Sequence, residues 1–446
     1  MRRYRIAAFT LALILMLCWG MPALSQTSVG FENPENIQPV LDYRLPSWGY
    51  TKASLAFHLS GWGRNAWGGL HRDETTGKFE LSPKLTWYHE NESRVRFLDF
   101  YLNGRWSGEY RDRDGGENES KRLYLRYGAE ALWDQYFRPN VFFSIGGRVE
   151  GSHSEDTFEG SSVTEPDYRR IFVSRRTRAS ANLGLGFGRL RDVTPSIQAL
   201  RFAERFRVLD KGRVMSPGEI QSIAGVLTAG SSYAQVYDRP SRRLWQALID
   251  CIDGVETLTP FETYYLADVM RENVGRRLEG WDLRLGFRFT QSAGSHAFDD
   301  QTIWAGAMDG RWYRNLNLDH QIGLEVSLDN DFMVAGDLNG AAEGEFRAVA
   351  KHLWVIADRV SWESKLKANI IFGRHEDRSE SAGEWWSFHT HKLKGDLLYY
   401  IEDRFEIVTG AELLTSSATD TSGDPYGQVQ WSLYASIRYH ITRSLH

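Results

Sequence analysis

The chain reads as an all-β transmembrane barrel of about 14 antiparallel strands, with an α-helical insertion between the sixth and seventh. Three observations predict it. In the last stretch Val429, Trp431, Leu433, Ala435, Ile437, Tyr439 and Ile441 share one phase, and Gln428, Gln430, Ser432, Tyr434, Ser436, Arg438 and His440 share the other. Oily on one side, polar on the other, that stretch exceeds the roughly 9–11 tilted residues a bilayer crossing needs. Connections elsewhere alternate between long and short. Finally, a mean hydropathy of −0.44 coexists with 16 Trp, 20 Tyr and 23 Phe, as expected when a lipid-facing surface is diluted by a polar interior.

The chain begins like a secretory signal peptide over 1–25: Arg2, Arg3 and Arg5, an apolar core from Ala7 to Trp19, and the small-residue site Ala23-Leu24-Ser25. Leu17 is bulky where lipoprotein processing at Cys18 requires a small residue. Cleavage would leave Cys251 as the one cysteine, so no internal disulfide is expected. It lies in an apolar helical stretch and reads as a packed side chain. No later apolar run reaches about eighteen residues, so no helical span is expected. The net charge of −5 carries no nucleic-acid footprint.

After an N-terminal periplasmic segment (26–50), strands one to six are expected over 52–63, 78–89, 94–110, 120–133, 140–151 and 172–188. Seven to fourteen follow at 280–291, 301–313, 317–329, 343–356, 360–373, 384–400, 404–415 and 427–441. Trp362, Leu366, Ala368, Ile370 and Phe372 alternate with Glu363, Lys365, Lys367 and Asn369, and Trp281 to Phe289 alternates as cleanly. Phase is poor near 301–313, 343–356 and 384–400, where bulges or shifted boundaries are expected. The barrel halves are 51–189 and 279–442, with a tail at 443–446. Connections 64–77, 111–119 and 152–171 are long and polar, which places them outside the cell. Asn91-Glu92-Ser93, Asp134 to Pro139, Arg314 to Leu316, Ala357 to Arg359 and Ile401 to Asp403 are short and periplasmic.

Residues 190–278 break the rhythm. Thr194-Pro195, Ser216-Pro217-Gly218-Glu219 and Thr259-Pro260-Phe261-Glu262 each read as an N-cap followed by proline, the last two with a capping box. Ile220, Ile223, Ala224 and Leu227 give one apolar helical face; Tyr265, Leu266, Val269 and Met270 give another; Arg242 to Asp253 forms a further helix. By parity the insertion starts and ends in the periplasm. It either hangs there as a small domain or folds into the bore as a plug.

Gly184, Gly186 and Gly188 fall on the lumen phase of the sixth strand. No phosphate-loop Lys or Rossmann acid follows, so no cofactor is expected. The glycines either receive the insertion or relieve crowding and bend the strand. Arg126, Arg148, Arg176, Arg178, Arg284 and Arg288 share the lumen phase with Glu130, Glu150 and Asp282. They form either a basic ladder favouring an anion or small solute, or a structural ion-pair network. Ser387, His389 and His391 share the other phase of the twelfth strand, as a rim hydrolase would require. Hydroxyls and imidazoles are common at rims and no third ligand is indicated, so neither catalysis nor a metal site is expected. Asp329-Asn330-Asp331 and Asp420 to Asp424 read as solvated loop tips in preference to calcium sites or cation bridges to lipopolysaccharide.

The signal segment, strand phase, loop parity and amphipathic final strand resemble those of bacterial outer-membrane porins and fourteen-stranded solute or fatty-acid channels, over about 50–189 and 279–441. The resemblance implies a passive, non-enzymatic channel in the outer membrane of a Gram-negative cell, contacting lipid and lipopolysaccharide. Segment 26–49 is too short for the N-terminal plug of fatty-acid channels, and 190–278 matches no element of the class. A second reading therefore stands beside the channel: an anchoring or export barrel whose insertion, 190–278, docks a periplasmic protein.

Overall fold

The computed structural model describes residues 37–42, 47–66, 72–113, 116–160, 168–209, 213–229, 239–272, 274–294, 301–336, 343–357, 359–374, 385–402, 405–419 and 425–445. The signal segment and the acidic stretch 420–424 lie outside them. A short helix α1 (Gln38–Leu41) precedes β1 (Ser47–Ala66), β2 (Arg72–Asn91), β3 (Arg94–Arg113), β4 (Gly116–Arg138), β5 (Val141–Gly160) and β6 (Tyr168–Asp192). Helices α2 (Thr194–Leu209), α3 (Pro217–Thr228), α4 (Pro240–Ile249) and α5 (Pro260–Arg271) follow. The wall resumes with β7 (Leu278–Gly294), β8 (Gln301–Asn315), β9 (His320–Gly336), β10 (Glu343–Ala357), β11 (Val360–Arg374), β12 (Trp385–Glu402), β13 (Phe405–Thr419) and β14 (Pro425–Leu445).

Each strand pairs antiparallel with its chain neighbours, and β1 pairs with β14, so the sheet closes into a barrel of fourteen strands. Closure satisfies the strand backbone within the wall, which lipid demands. Exposed Ile145, Val149, Leu183, Leu185, Leu285, Phe287, Leu413 and Leu433 form the outer belt. Trp133, Trp281, Trp312, Trp354 and Tyr399 rim it near the periplasmic ends, and Trp106 and Trp431 near the other. No helix among the described residues is long and apolar enough to cross a membrane.

Three expectations about boundaries are corrected. The connections expected to be long shrink because the strands run on: 111–119 becomes the continuation of β3 into β4, interrupted only at 114–115. The tail 443–446 is β14 as far as Leu445, which pairs with Tyr50, because β1 descends to Ser47 and needs a partner. Within the expected N-terminal segment 26–50, the described Ile37, Val40 and Leu41 are buried in the core of the helical domain. Irregular register does occur in the poorly phased strands, at Trp304/Ala305, Val355/Ala357 and Tyr400/Glu402.

The helical domain has its own core, with Ile197, Leu200, Phe202, Ile223, Leu248 and Leu266 all fully buried. Both capping boxes form: Ser216 with Glu219, and Thr259 with Glu262. Burial opposes the Glu219 charge, but hydrogen bonds from Ser216 and the backbone of Asp253, together with the Arg213 guanidinium, hold its carboxyl below the usual range. Thr194 does not cap α2 as expected. Asp192 does so, accepting from the Thr194 amide at 3.1 Å and from its hydroxyl, because Thr194 Oγ1 is engaged in turn by the Arg277 amide at 3.0 Å. Cys251 is half-buried, its Sγ donating to Ala247 O, and burial pushes its thiol up.

The wall bends inward where β6 meets the helical domain. Gly188 (φ +84°) and Gly280 (φ +102°) sit on paired strands, with Gly188 opposite Asp282 and Gly280 opposite Leu190. A Cβ at Gly188 would strike the backbone of Trp281, and one at Gly280 the backbone of Arg189. Only glycine tolerates both the dihedral and the approach. Gly188→Ala should therefore destabilise the barrel by about 1–3 kcal/mol, measured as a lower temperature for loss of the folded band in heat-modifiability gels. Ser216→Ala should cost the helical domain about 1 kcal/mol, read from chemical denaturation of the purified protein.

Candidate functional site

Past the glycine pair, β6 and β7 continue as a two-stranded ribbon that leaves the wall and lies across the periplasmic mouth. Positive φ at Gly188 breaks the alternation, so Arg189 points inward although it follows the outward Phe187. Its guanidinium reaches the β2–β3 turn, donating to Asn91 O at 2.7 Å and Glu92 O at 2.8 Å and pairing with Glu90 at 3.3 Å. It also stacks over Tyr136, 4.5 Å from the ring centroid. The Arg189 and Glu90 side chains are only 5% and 9% exposed, so this ion pair is desolvated on both sides.

The returning limb is anchored further round. Arg276 pairs with Asp192 at 2.9 Å and lies over the rings of Tyr88 and Tyr50, on β2 and β1. Gly275 approaches the Leu353 side chain of β10. One stretch of chain thus touches opposite sides of the barrel. Fully buried Arg277 donates to Val274 O at 2.9 Å, Leu318 O at 2.8 Å and Asp319 O at 3.2 Å. Burial and the neighbouring Arg201 guanidinium pull its pKa down, and the ring of carbonyls compensates. Arg201 bridges Glu272 and Asp319, and Arg205 bonds Glu272, clamping α2 to α5 and both to the β8–β9 turn. Together these contacts place the helical domain against the β8–β9 turn.

Lumen-phase side chains at this level are buried around much of the circumference: Tyr88, Asp134, Tyr136, Phe142, Asp282, Tyr313, Val355, Ser361, Leu398 and Glu406. Farther up the lumen Lys84, Arg126 and Arg148 are about half exposed, with side-chain exposures of 52%, 48% and 45%. The described lumen side chains are therefore about half exposed in mid-wall and buried at the end that meets the helical domain. On its floor lies a cavity of about 340 Å³, lined among others by Ser144, Asn182, Arg284, Arg288, Ser327 and Arg347.

The structure divides the arginine ladder. Arg126 and Arg148 share Glu150, at 3.2 and 2.9 Å. Arg284 bonds Asp134 and Asp282, at 2.8 and 2.9 Å, and lies over Phe142. Arg288 pairs with Asp309 and with Asp329. Arg176 and Arg178 stay exposed higher on β6, Arg178 directly opposite Glu150. The glycine strip meets wall atoms. A Cβ at Gly186 would enter the ring of Phe142, one at Gly184 would meet the backbone of β7, and Gly188 is the bend. Phe142 on β5 fills the space that glycine leaves, its ring tilted 39° against that of Tyr136 with centroids 4.8 Å apart.

Ser387 Oγ and His389 Nε2 stand 3.1 Å apart on the outward face of β12. No third group orients the imidazole among the described residues, and ladder pairing on both sides of β12 leaves no free amide pair to hold an oxyanion. His391 lies on the same face, with its Nδ1 buried and without a hydrogen-bond partner among the described residues. No group of three or more His, Cys, Asp or Glu among the described residues could hold a metal.

Sequence periodicity does not single out Arg189 or Arg276, because Arg189 follows the expected end of the sixth strand at 188 and Arg276 falls within the insertion 190–278. The signal for both was the pair Gly188 and Gly280 flanking it. Replacing Arg189 with Met should leave Glu90 buried without its cation and weaken ribbon seating by about 3–5 kcal/mol. Limited proteolysis within 188–194 should then accelerate while the barrel stays resistant.

No protein-family model matches the sequence, and comparison with curated proteins finds no match. Solved structures that match include the beta domain of the Bordetella autotransporter BrkA, with 10% identity, a TM-score of 0.26, and coverage of 88% of this chain and 99% of that one. A bacterial polysaccharide outer membrane secretin gives 11%, 0.29, 90% and 100%. The outer membrane channel DcaP of Acinetobacter baumannii gives 9%, 0.29, 89% and 96%. At such TM-scores the likenesses carry no argument about activity. The architecture rests on the wall itself. Closed at β1–β14, belted with apolar side chains and rimmed with aromatics, the chain is an outer-membrane β-barrel.

Proposed function

We propose that the protein is a gated outer-membrane channel for small solutes, with the β6–β7 ribbon and its helical domain as the gate. The observation that carries this reading is the contrast within one lumen, between wetted charges above and the occupied mouth below. The ribbon is held by polar contacts to turns and lumen side chains and remains part of the chain on both sides. Ion pairs and cation–π contacts exchange more readily than a packed apolar core, and two adjacent glycines supply a hinge. The helical domain carries Arg201 and Arg277 on the β8–β9 turn, so a movement below the barrel is coupled to the ribbon.

A second reading is an anchoring or export barrel with a periplasmic docking domain. It is favoured by one observation: Val208, Val214, Phe261 and Tyr264 are 60–76% exposed on the helical domain. Planar-bilayer conductance separates the two. The intact mature protein should show small or rare openings, and replacing 192–275 with a short turn should give large, persistent steps. Silence in both would sink the channel reading in favour of anchoring or export.

A further inference from the structure

We infer that the lumen wall of β10, β11 and β12 holds a binding site for an oxyanion, the carboxylate or phosphate of a small solute. The site is centred on Arg347 and Lys367, and it rests on the channel reading because such a solute would reach it through the lumen. This is a different wall from the arginines of β4 to β7, which are largely matched by acids.

The register creates the site. Lys367 stands directly opposite Lys392 on β12, and Val349, two residues from Arg347, stands directly opposite Lys367 on β10. Arg347 and Lys367 are thus diagonal neighbours on the inward face, roughly 7–8 Å apart by strand geometry. Like charges directly opposite one another disfavour strand pairing unless something neutralises them. One row lower the same strands bring Lys351, Lys365 and Lys394 together, and there each ammonium has its own acid: Glu325 at 2.7 Å, Glu363 at 3.2 Å and Asp396 at 2.9 Å. In the upper row only Lys392 is bonded, to Glu412 at 2.8 Å.

Arg347 and Lys367 have no carboxylate in hydrogen-bond reach among the described residues. Glu345, two positions along β10, adds a negative field at Lys367 without a bond. Counting Glu345, the three cations of this row face two carboxylates; the acids next to it on β9 and β8, Glu325, Asp329 and Asp309, are bonded to Lys351 and Arg288. Neighbouring polar groups suit the same ligand. Ser327 lies directly opposite Arg347 on β9, and both line the cavity on the lumen floor. Asn369, directly opposite Arg347 on β11, adds a side-chain amide to the same face. A guanidinium fork, an ammonium, a hydroxyl and an amide around one wetted patch match the three or four acceptor directions of a carboxylate or phosphate.

The test uses the full-length protein, refolded in detergent, in low-salt buffer without competing anions. Inorganic phosphate and succinate are titrated by calorimetry, and each single variant, Lys367→Gln and Arg347→Gln, is compared with Lys84→Gln on the β2 wall. We expect saturable binding of at least one probe, weakened roughly tenfold by either of the first two changes and unaltered by the third. Heat-modifiability gels confirm that each variant is folded. Absence of binding by both probes, or binding indifferent to Lys367 and Arg347, overturns the site. Binding that depends on these residues in a protein silent in bilayers upholds the site while the channel reading falls. Large steps with no binding do the reverse.

Discussion

Closure of the hydrogen-bond ladder is the constraint from which the other features follow. In hydrocarbon a strand edge has no partner, so β1 and β14 must find each other over their length. That requirement draws the last residues of the chain into the wall, and it fixes a two-residue alternation around the circumference. With one face given to lipid, nearly all the charge of the strands is turned inward. The lumen then has to resolve dozens of ionic groups, and most of its structure is the pairing that results.

The pairing is uneven in an informative way. On β4 to β9 the arginines face acids on neighbouring strands, and Glu150, Asp282 and Asp329 each serve at least one guanidinium. At the end of the barrel that meets the helical domain, the same chemistry holds the β6–β7 ribbon. Arg189 and Arg276 carry charges across the mouth and find Glu90, Asp192 and a floor of tyrosine rings. A desolvated pair such as Arg189–Glu90 adds little net stability over an apolar contact, yet breaking it is costly. Such a pair fixes the register in which the ribbon is seated.

The helical domain has its own hydrophobic core, joined to the barrel by polar contacts and by Leu318 of the β8–β9 turn, which is buried in it. That core mixes aliphatic and aromatic side chains, and α1, from the other end of the barrel's first half, completes it. The chain therefore enters and leaves the first six strands through the same domain. Arg201 and Arg277 link its position to the β8–β9 turn through guanidinium bonds to Leu318 O, Asp319 O and the Asp319 carboxylate.

Much of this was legible in the residues. The alternation of Val429 to Ile441, the even strand count and the two capping boxes are local patterns, set by periodicities of 2.0 and 3.6 and by side-chain bonds spanning three residues. Such patterns survive without knowledge of partners. The strand overhangs were less legible, because polar hairpins outside the membrane lack the apolar phase and read as loops. What tertiary structure alone decided was charge pairing and the fate of the mouth. Whether an inward arginine is bonded depends on acids brought beside it by pairing, as Glu150 is brought to Arg126 and Arg148 and Asp134 to Arg284, and spacing along the chain does not show those neighbours. Whether the insertion fills the bore or lies beneath it depends on a bend at Gly188 and Gly280, two residues ninety-two positions apart that meet only in the folded sheet.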